Sequence, residues 1–316
     1  MYGHPTLPFL SLLLTLFLVP TLGQDKSTYY TVRNASRFTI DWSGFYERAD
    51  KLTEVARRDF PNHLDIPYGM HPKQKLDLYL PAGNLNKAPV FLFIHGGGFR
   101  EGDRTHYGFI APPLAKRGII TVLPSYRLTS QGFHYPSQPK DIRSAIAWVY
   151  QNIERFGGDP KRIIVGGHSA GGILAADVSV NRSWLSELAL PLDLISGTVM
   201  ISTSIVVDDP KAALGGGGYN VRKAEGNAYV DDPTLREKAN PLLNIHRPVR
   251  EVLMVVGKGE DPYLQAGKVF VNKLQEQGTK VEWRVFSELN HAQTALVLGQ
   301  EESALFQALL QLINGH

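Results

Sequence analysis

The sequence predicts an α/β fold with one mostly parallel central sheet, helices on both faces, and a small cap or lid. Short apolar runs rich in β-branched residues alternate with longer amphipathic segments, as in parallel strands joined by crossover helices. The 316 residues are 43% hydrophobic and 20% charged, which is enough apolar surface for a sizeable core. No internal repeat is visible, and this composition excludes a disordered or low-complexity architecture.

The N-terminus has the pattern of a secretory leader. Residues 8–19 form a run of 12 almost wholly apolar positions that ends at Pro20, shorter than the about 20 residues that a membrane-spanning helix needs. Thr21 and Gly23 are small residues at positions −3 and −1 of a cleavage site. We therefore expect residues 1–23 to be a signal peptide and the protein to be secreted or to enter the secretory lumen. The first residues lack Lys and Arg, and an uncleaved anchor is the alternative.

Composition limits the chemistry that the chain can perform. Cysteine is absent, which excludes a disulfide scaffold, a thiolate metal site and a cysteine nucleophile. The 33 basic and 30 acidic side chains give a net charge of +3 without a concentrated basic cluster, so we expect no nucleic-acid partner. The ten histidines contain no H-E-x-x-H pattern, and we predict no metal or organic cofactor. Sequons at Asn34 and Asn181 predict glycosylation of a secreted chain.

The individual elements follow from local patterns, taken in chain order. In the helix predicted over 141–155, Ile142, Ala145 and Val149 share one face, and Asp141 favours the positive N-terminal end. The predicted strands, all rich in Val, Ile, Leu or Phe, are 75–80, 90–95, 119–124, 162–167, 197–202, 251–256 and 281–286. The other predicted helices are 43–58, 106–117, 171–180, 263–277 and 293–314.

A single catalytic domain is expected over residues 64–316, preceded by an N-terminal cap or extension over 24–63. Residues 205–248 have weak periodicity and contain a run of glycines from Gly215 to Gly218. This stretch is too long for an ordinary connection between two elements. We interpret it as a lid insertion.

A serine motif follows the strand predicted over 162–167. The sequence G-H-S-A-G at residues 167–171 stands between that strand and a predicted helix, which is the context of a nucleophile elbow. Such an elbow presents the serine hydroxyl on a strained turn, and its glycines are needed because a Cβ would collide with neighbouring backbone. An ordinary tight turn is the structural alternative. The strand and helix around the motif favour a nucleophile at Ser169.

A glycine-rich segment, H-G-G-G-F at residues 95–99, ends the strand predicted over 90–95. Consecutive glycines let backbone N–H groups approach a tetrahedral oxyanion closely. A flexible loop and a phosphate cradle are the alternatives. The spacing of a phosphate-binding loop is missing from this segment, which favours the oxyanion interpretation.

A general base and its orienting acid are expected at the same edge of the sheet. His291 follows the last predicted strand, and Asp261 follows the strand predicted over 251–256. The carboxyl ends of parallel strands meet at one edge, where ligands bind in open α/β folds. The chain order Ser169, Asp261, His291 is that of a serine hydrolase triad. Glu260 is the rival acid.

Several motifs together carry a resemblance to a known family. They are H-G-G-G-F, G-H-S-A-G-G, the Ser–Asp–His order, and S-Y-R-L at 125–128 with Pro136 and Asp141. The chain resembles the α/β-hydrolase superfamily over about residues 64–316. Within it the resemblance is to the hormone-sensitive-lipase-like and feruloyl or acetyl esterase (BD-FAE-like) carboxylesterase branch, whose neighbours include arylformamidases.

The resemblance also assigns roles to residues that local patterns leave undecided. It implies that the backbone N–H groups of Gly97, Gly98 and Ala170 form the oxyanion hole. It further implies that the tyrosine and arginine at 126 and 127 and the aspartate at 141 are structural, although these residue types together look like an active-site cluster.

The predicted activity is hydrolysis of a small or aryl carboxylic ester through an acyl-enzyme intermediate at Ser169, with His291 as the base. An amidase, arylformamidase or lactone hydrolase with the same triad is the alternative, as is a non-catalytic hydrolase-like protein of a secreted biosynthetic pathway. Phe99, Tyr219 and Tyr263 are candidates to line the substrate pocket. We expect a small-molecule substrate and no stable membrane contact after leader cleavage, and the oligomeric state stays open.

Overall fold

The computed structural model describes residues 40–203, 205, 234 and 238–315, without the side chains of 261–263, 265 and 266. The predicted signal peptide over 1–23, the sequon at Asn34 and most of the predicted lid over 205–248 therefore lie outside the described residues. All the elements discussed below belong to the described part of the chain.

An eight-stranded sheet organises the described residues. Its strands are β1 (Asn62–Pro67), β2 (Lys75–Tyr79), β3 (Ala88–Ile94), β4 (Ile120–Pro124), β5 (Gly158–His168), β6 (Ile195–Ile201), β7 (Glu251–Gly257) and β8 (Val281–Phe286). Their order is β1-β2-β4-β3-β5-β6-β7-β8. The β1–β2 and β2–β4 pairs are antiparallel and the other pairs are parallel. This confirms the predicted mostly parallel sheet.

The edge strand β1 is the one strand of this sheet that the sequence patterns did not predict. Its residues are N-H-L-D-I-P, and none of them is buried. A strand with one exposed edge and no buried face needs no alternation of apolar and polar residues, and it tolerates proline. Local hydrophobic periodicity therefore gave no signal for it.

Helices cover both faces of the sheet. They are α1 (Trp42–Asp59), α2 (Ala111–Ala115), α3 (Ser137–Asn152), α4 (Ala170–Val180), α5 (Ser183–Glu187), α6 (Asp261–Glu276), α7 (His291–Leu296) and α8 (Ala304–Asn314). The short α5 was not predicted. The other helices correspond to predicted segments, two of which the structure divides.

Two segments that were predicted as continuous helices are interrupted in the structure. The segment 106–117 begins at the end of the 3₁₀ turn Arg104–His106 and continues with a second 3₁₀ turn, Gly108–Ile110, and the five-residue α2. A continuous helix is interrupted because consecutive prolines at 112 and 113 can occupy only the first turn of a helix. The segment 293–314 is divided into α7 and α8 by a 3₁₀ turn and a new N-cap. Ser303 forms that cap, since its hydroxyl accepts a hydrogen bond from the N–H of Phe306 at 3.0 Å.

The sheet separates two hydrophobic layers. Leu92 and Val165 pack on one side with Ile146 of α3. Phe91 and Ile164 belong to the opposite layer, together with residues of α1 and α8. This alternation is the direct consequence of successive side chains pointing to opposite faces of a strand. Because helices cover both faces of the sheet, a binding site is expected at the carboxyl ends of the parallel strands.

The N-terminal segment contributes a packed helix to this body. Phe45, Ala49 and Ala56 of α1 are buried in the layer that also contains α8, and α1 contacts the 3₁₀ turn Gly108–Ile110 and α7. The first turn of α1 thereby lies beside the carboxyl-end edge of the sheet. Within the described ranges, no helix combines the length and the apolar character that crossing a membrane requires.

Candidate active site

Ser169 occupies a strained turn between β5 and α4. Its φ is 55° and its ψ is −121°, a conformation that costs a non-glycine residue about 1–3 kcal/mol. Hydrogen bonds hold both sides of the residue, because its N–H donates to the carbonyl of Ile201 at 2.9 Å and its carbonyl accepts from Thr203 Oγ1 at 2.6 Å. The side chain is half-buried rather than enclosed. The turn therefore has the geometry of the predicted nucleophile elbow.

The glycine at 171 is required by close packing at this elbow. A Cβ built on Gly171 would collide with the carbonyl oxygens of Ile94 and His95. The glycine-rich loop also passes directly beside the serine, since a Cβ built on Gly96 would lie 3.2 Å from the Cβ of Ser169. The elbow and the end of β3 are thus in direct contact.

His291 is paired with Glu260. Its Nδ1 lies 2.5 Å from Glu260 Oε1, and the side chains are only 12% and 3% exposed. The other carboxylate oxygen of Glu260 accepts a hydrogen bond from the N–H of Gly257. A carboxylate held on two sides in this way fixes the orientation and the tautomer of the imidazole, with the proton on Nδ1.

The prediction of Asp261 as the orienting acid was therefore wrong, and its rival occupies the position. Glu260 is the last residue before α6, and its side chain returns toward the end of β7. Asp261 is the first residue of that helix, and its side chain lies outside the described residues. Strand context places both carboxylates after β7, but only the path of the turn decides which one faces His291.

His291 also contacts the turn that carries the serine. The ring of His168, the residue before Ser169, has its centroid 4.7 Å from that of His291. Its Nε2 lies 2.7 Å from the carbonyl oxygen of His291. Burial and the neighbouring His291 hold the pKa of His168 well below its usual value of 6.5. No role for His168 was predicted, although its place inside the serine motif is the signal that could have drawn attention to it.

Two of the predicted oxyanion donors follow Gly96, which lies beside Ser169, and the third is the residue directly after Ser169. Gly97 and Gly98 have φ values of 110° and 60°, in the region that favours glycine. The carbonyl of Gly97 accepts hydrogen bonds from the N–H groups of Arg100 and Glu101, both at 3.0 Å, which fixes the turn. Ala170 is the first residue of α4, so its N–H has no acceptor within the helix.

A buried aromatic stack supports the start of this loop. The rings of His95 and Tyr126 lie 4.3 Å apart and nearly parallel, at 8°. The Tyr126 hydroxyl donates a hydrogen bond to the carbonyl of His95 at 3.1 Å. Burial lowers the pKa of His95 to about 4. The stacked, neutral rings of His95 and Tyr126 therefore fix the start of the glycine loop.

Arg127 and Asp141 form a structural ion pair. Arg127 Nη2 donates to Asp141 Oδ1 at 2.6 Å, and its backbone N–H donates to Oδ2 at 2.9 Å. Arg127 Nε donates as well, at 2.9 Å to Oδ2, and Gln74 Nε2 adds a fourth donor to the fully buried carboxylate at 2.7 Å. The oxygens of Asp141 are thus satisfied by the fold itself, in agreement with the structural role that the resemblance implies.

The structure revises the predicted pocket residues. Phe99 is fully buried and belongs to the hydrophobic core, so the prediction that it lines a pocket was wrong. Its φ of 62° turns the side chain into the core beside Tyr126, at a centroid distance of 6.5 Å. Tyr263 lies in the first turn of α6, but its side chain is outside the described residues, as is all of Tyr219.

Trp42 is a site residue that sequence reasoning missed. Its ring meets that of His291 edge-on at a centroid distance of 5.9 Å, and its side chain is 40% exposed. Tyr46, one turn later in α1, lies 6.4 Å from Trp42, ring to ring. The helix follows a polar segment outside the recognised motifs, and no local signal connected it with His291.

Comparisons with known proteins identify similar sequences. Residues 76–189 match the BD-FAE family model. The chain is 30% identical to the isoprenylcysteine alpha-carbonyl methylesterase ICME of Arabidopsis thaliana over 79% of its own length, but it spans only 61% of that relative. It is 25% identical to kynurenine formamidase of Danio rerio, covering 83% of this chain and 85% of the relative.

Solved structures show the same fold. A crystal structure of a putative thioesterase from Silicibacter has a TM-score of 0.70 at 20% identity, covering 92% of this chain and all of that one. An esterase from Pyrobaculum calidifontis has a TM-score of 0.65 at 18% identity and covers 86% of this chain and 92% of its own.

The fold and the site together define an α/β-hydrolase-fold protein. The eight-stranded mostly parallel sheet, the strained serine after β5 and the Glu–His pair after β7 and β8 are its defining features. Within that fold, residues 76–189 match the BD-FAE family model, and the chain is similar in sequence to esterases and to a kynurenine formamidase.

Proposed function

We propose that this protein is a serine hydrolase of carboxylic esters that works through an acyl-enzyme intermediate. One observation carries the proposal: Glu260 orients His291, and His291 lies against the turn that presents Ser169. With the proton of the imidazole on Nδ1, Nε2 has the lone pair that accepts the proton of a serine hydroxyl.

The reaction proceeds in two acyl-transfer steps. Ser169 Oγ attacks the ester carbonyl while His291 takes its proton, and the N–H groups of Gly97, Gly98 and Ala170 stabilise the oxyanion. The imidazolium then gives its proton to the departing alcohol, which leaves the acyl group on Ser169. A water molecule, deprotonated by His291, attacks this acyl group and releases the acid and the free serine.

Trp42 supports an aryl or similarly planar apolar alcohol as the leaving group. The alcohol must depart past the histidine that protonates it, and the Trp42 ring is the exposed aromatic surface in contact with His291. Tyr46 extends this surface along α1. Burial, together with Glu101 and Asp50, raises the pKa of Tyr46 to about 12, so its neutral phenol offers an aromatic face without charge.

Two experiments on Ser169 test the proposed function. The Ser169→Ala variant should lose hydrolysis of a short-chain aryl ester such as p-nitrophenyl acetate, and the wild-type protein should react covalently with a fluorophosphonate at Ser169. A matched substitution at exposed Ser130, also a serine near the loop, should preserve both reactions. Turnover by the Ser169→Ala variant at the wild-type rate would refute the assignment.

Formamide hydrolysis is a second candidate because of one specific comparison. One relative that is matched over most of both chains is a kynurenine formamidase, and a serine triad can attack an amide carbonyl as well as an ester. Matched aryl ester, aryl formamide and lactone substrates would separate the candidates by kcat/KM. A protein that fails to react with any of them or with the fluorophosphonate would instead be the non-catalytic alternative.

We also propose that the protein enters the secretory pathway and is glycosylated. The apolar leader over 1–23 and the two sequons support this proposal. Asn181 is a partly exposed residue directly after α4, and its Oδ1 accepts a hydrogen bond from Ser183 Oγ at 3.0 Å. Expression in a eukaryotic secretory host, followed by N-terminal sequencing and glycosidase treatment, tests both points.

A further inference from the structure

His168 links the serine turn to the turn that carries His291. It is the last residue of β5, directly before Ser169, and its Nε2 lies 2.7 Å from the carbonyl oxygen of His291. A carbonyl oxygen only accepts hydrogen bonds, so Nε2 carries the proton. The rigid ring of His168 therefore connects the backbone next to Ser169 with the backbone of His291. Proton transfer between Ser169 and His291 depends on how these two backbone segments are placed.

The sheet by itself does not bring these turns together. Two strands, β6 and β7, separate β5 from β8, and side chains bridge the remaining distance. Ser202 and Thr294 make another such bridge through their hydroxyls, 2.8 Å apart, and Thr294 Oγ1 also donates to the His291 carbonyl at 2.8 Å. In this network, His168 is the member whose main chain adjoins Ser169.

The surroundings of His168 favour a neutral ring. The residue is 1% exposed, and its Nδ1 has no hydrogen-bond partner within the described part of the chain. Burial, and then the proximity of His291, keep the pKa of His168 low. A protonated ring would bury an unpaired N–H and would repel the imidazolium that forms at His291 during catalysis.

We propose that His168 is a positioning residue whose neutral Nε2–H form fixes the main chain of His291 relative to Ser169. It touches no reacting atom and acts through the placement of the base. The inference rests on the proposed function, because a base needs accurate placement only if it takes a proton from the serine. A misplacement of about 1 Å can cost about 100-fold in rate.

Two substitutions separate the hydrogen bond from the bulk of the ring. Glutamine at 168 retains an amide N–H near the position of Nε2, whereas leucine fills similar space without a donor. We expect His168→Leu to lower kcat about 10- to 100-fold with KM changed less than about 3-fold, and His168→Gln to recover most of that loss. Thermal melts of both variants establish that the assays compare folded proteins.

Two kinetic results would overturn the proposal. The first is a His168→Leu variant that is folded and retains the wild-type kcat, which would make the hydrogen bond dispensable. The second is equal loss in the leucine and glutamine variants, since the retained donor would then have no effect. Ser169→Ala supplies the background rate for both comparisons.

Nitrogen NMR of the wild-type protein tests the same inference without any variant. In protein labelled with ¹⁵N-histidine, His168 should show a protonated Nε2 and an unprotonated Nδ1 from about pH 6 to 8. A charged ring or the Nδ1–H tautomer in an active enzyme would refute the positioning role alone. Absence of both turnover and fluorophosphonate labelling would refute the proposed function instead. This result can be told apart from failure of the positioning role, because it can occur while His168 has the expected tautomer.

Discussion

Replacing Glu260 with glutamine removes the charge that faces His291 and leaves nearly the same shape. The pair is almost fully buried, with 2.5 Å between Glu260 Oε1 and His291 Nδ1. For charge centres about 4 Å apart and an effective dielectric constant of about 20, the attraction between carboxylate and imidazolium is about 4 kcal/mol. Because 1.36 kcal/mol corresponds to about a tenfold change in rate, kcat should fall about 1,000-fold.

A second effect acts in the same direction. The side-chain amide of glutamine can still accept the hydrogen bond of Gly257 N–H with its oxygen, but its NH₂ group then faces the Nδ1–H of His291. Two donors cannot share that contact, and the ring is driven toward the wrong tautomer. Replacing the acid of a serine protease triad by its amide costs about 10⁴-fold in kcat for this reason.

The assay compares Glu260→Gln with Asp261→Asn, a matched change of the neighbouring carboxylate to its amide. Both are measured as kcat on p-nitrophenyl acetate, with Ser169→Ala as background and thermal melts as the folding control. We expect Asp261→Asn to keep kcat within about 3-fold of wild type, because Glu260 already occupies Nδ1. The reverse ranking, with Asp261→Asn near background and Glu260→Gln near wild type, would show that Asp261 and not Glu260 is the acid that supports His291.

The surroundings of Trp42, His95 and Gly171 lead to three further predictions. Trp42→Ala should lower kcat/KM for an aryl ester about 10-fold more than for the matching methyl ester. Leu52 is an exposed residue of the same helix, and the control variant Leu52→Ala should change neither value. Equal effects of Trp42→Ala on both esters would contradict a contact between Trp42 and the leaving group. Burial lowers the pKa of His95 to about 4, so at pH 5 this residue binds a proton in the unfolded chain but not in the folded chain. His95 should therefore contribute a fall of about 2 kcal/mol from pH 7 to pH 5 in the free energy of unfolding measured with urea, in addition to the contribution of His168. His95→Phe should lack that part of the slope, and an unchanged slope would refute it. Gly171→Ala should abolish activity and lower the melting temperature, because the added methyl group collides with the carbonyls of Ile94 and His95; wild-type activity would show that the elbow relaxes.

Local patterns predicted the features that depend on local physics. The inner parallel strands β3, β5, β6 and β7 were predicted because each contains a short run of β-branched and apolar residues that is buried on both faces. Ser169 was predicted because a strand, a glycine-flanked turn and a helix follow one another without interruption. The edge strand Asn62–Pro67 escaped because it is exposed and has no apolar alternation.

Features that depend on the direction of a side chain after a turn were beyond the sequence. Glu260 and Asp261 are adjacent carboxylates after the same strand, and only the path of the chain between β7 and α6 sends one of them to His291. Phe99 follows three glycines in a loop that contacts the serine, but its positive φ directs the ring into the core. Neither outcome has a signature in composition or spacing.

Sequence patterns were enough to predict the parallel strands, the serine turn and a histidine at the same end of the strands. Those predictions follow from residues close together in the chain and from the rule that parallel strands end on one side. The packing of the folded chain selects the other neighbours of His291, which are Glu260, His168 and Trp42. These three lie 31, 123 and 249 positions away from His291, and contacts over such separations arise only when the folded layers pack together.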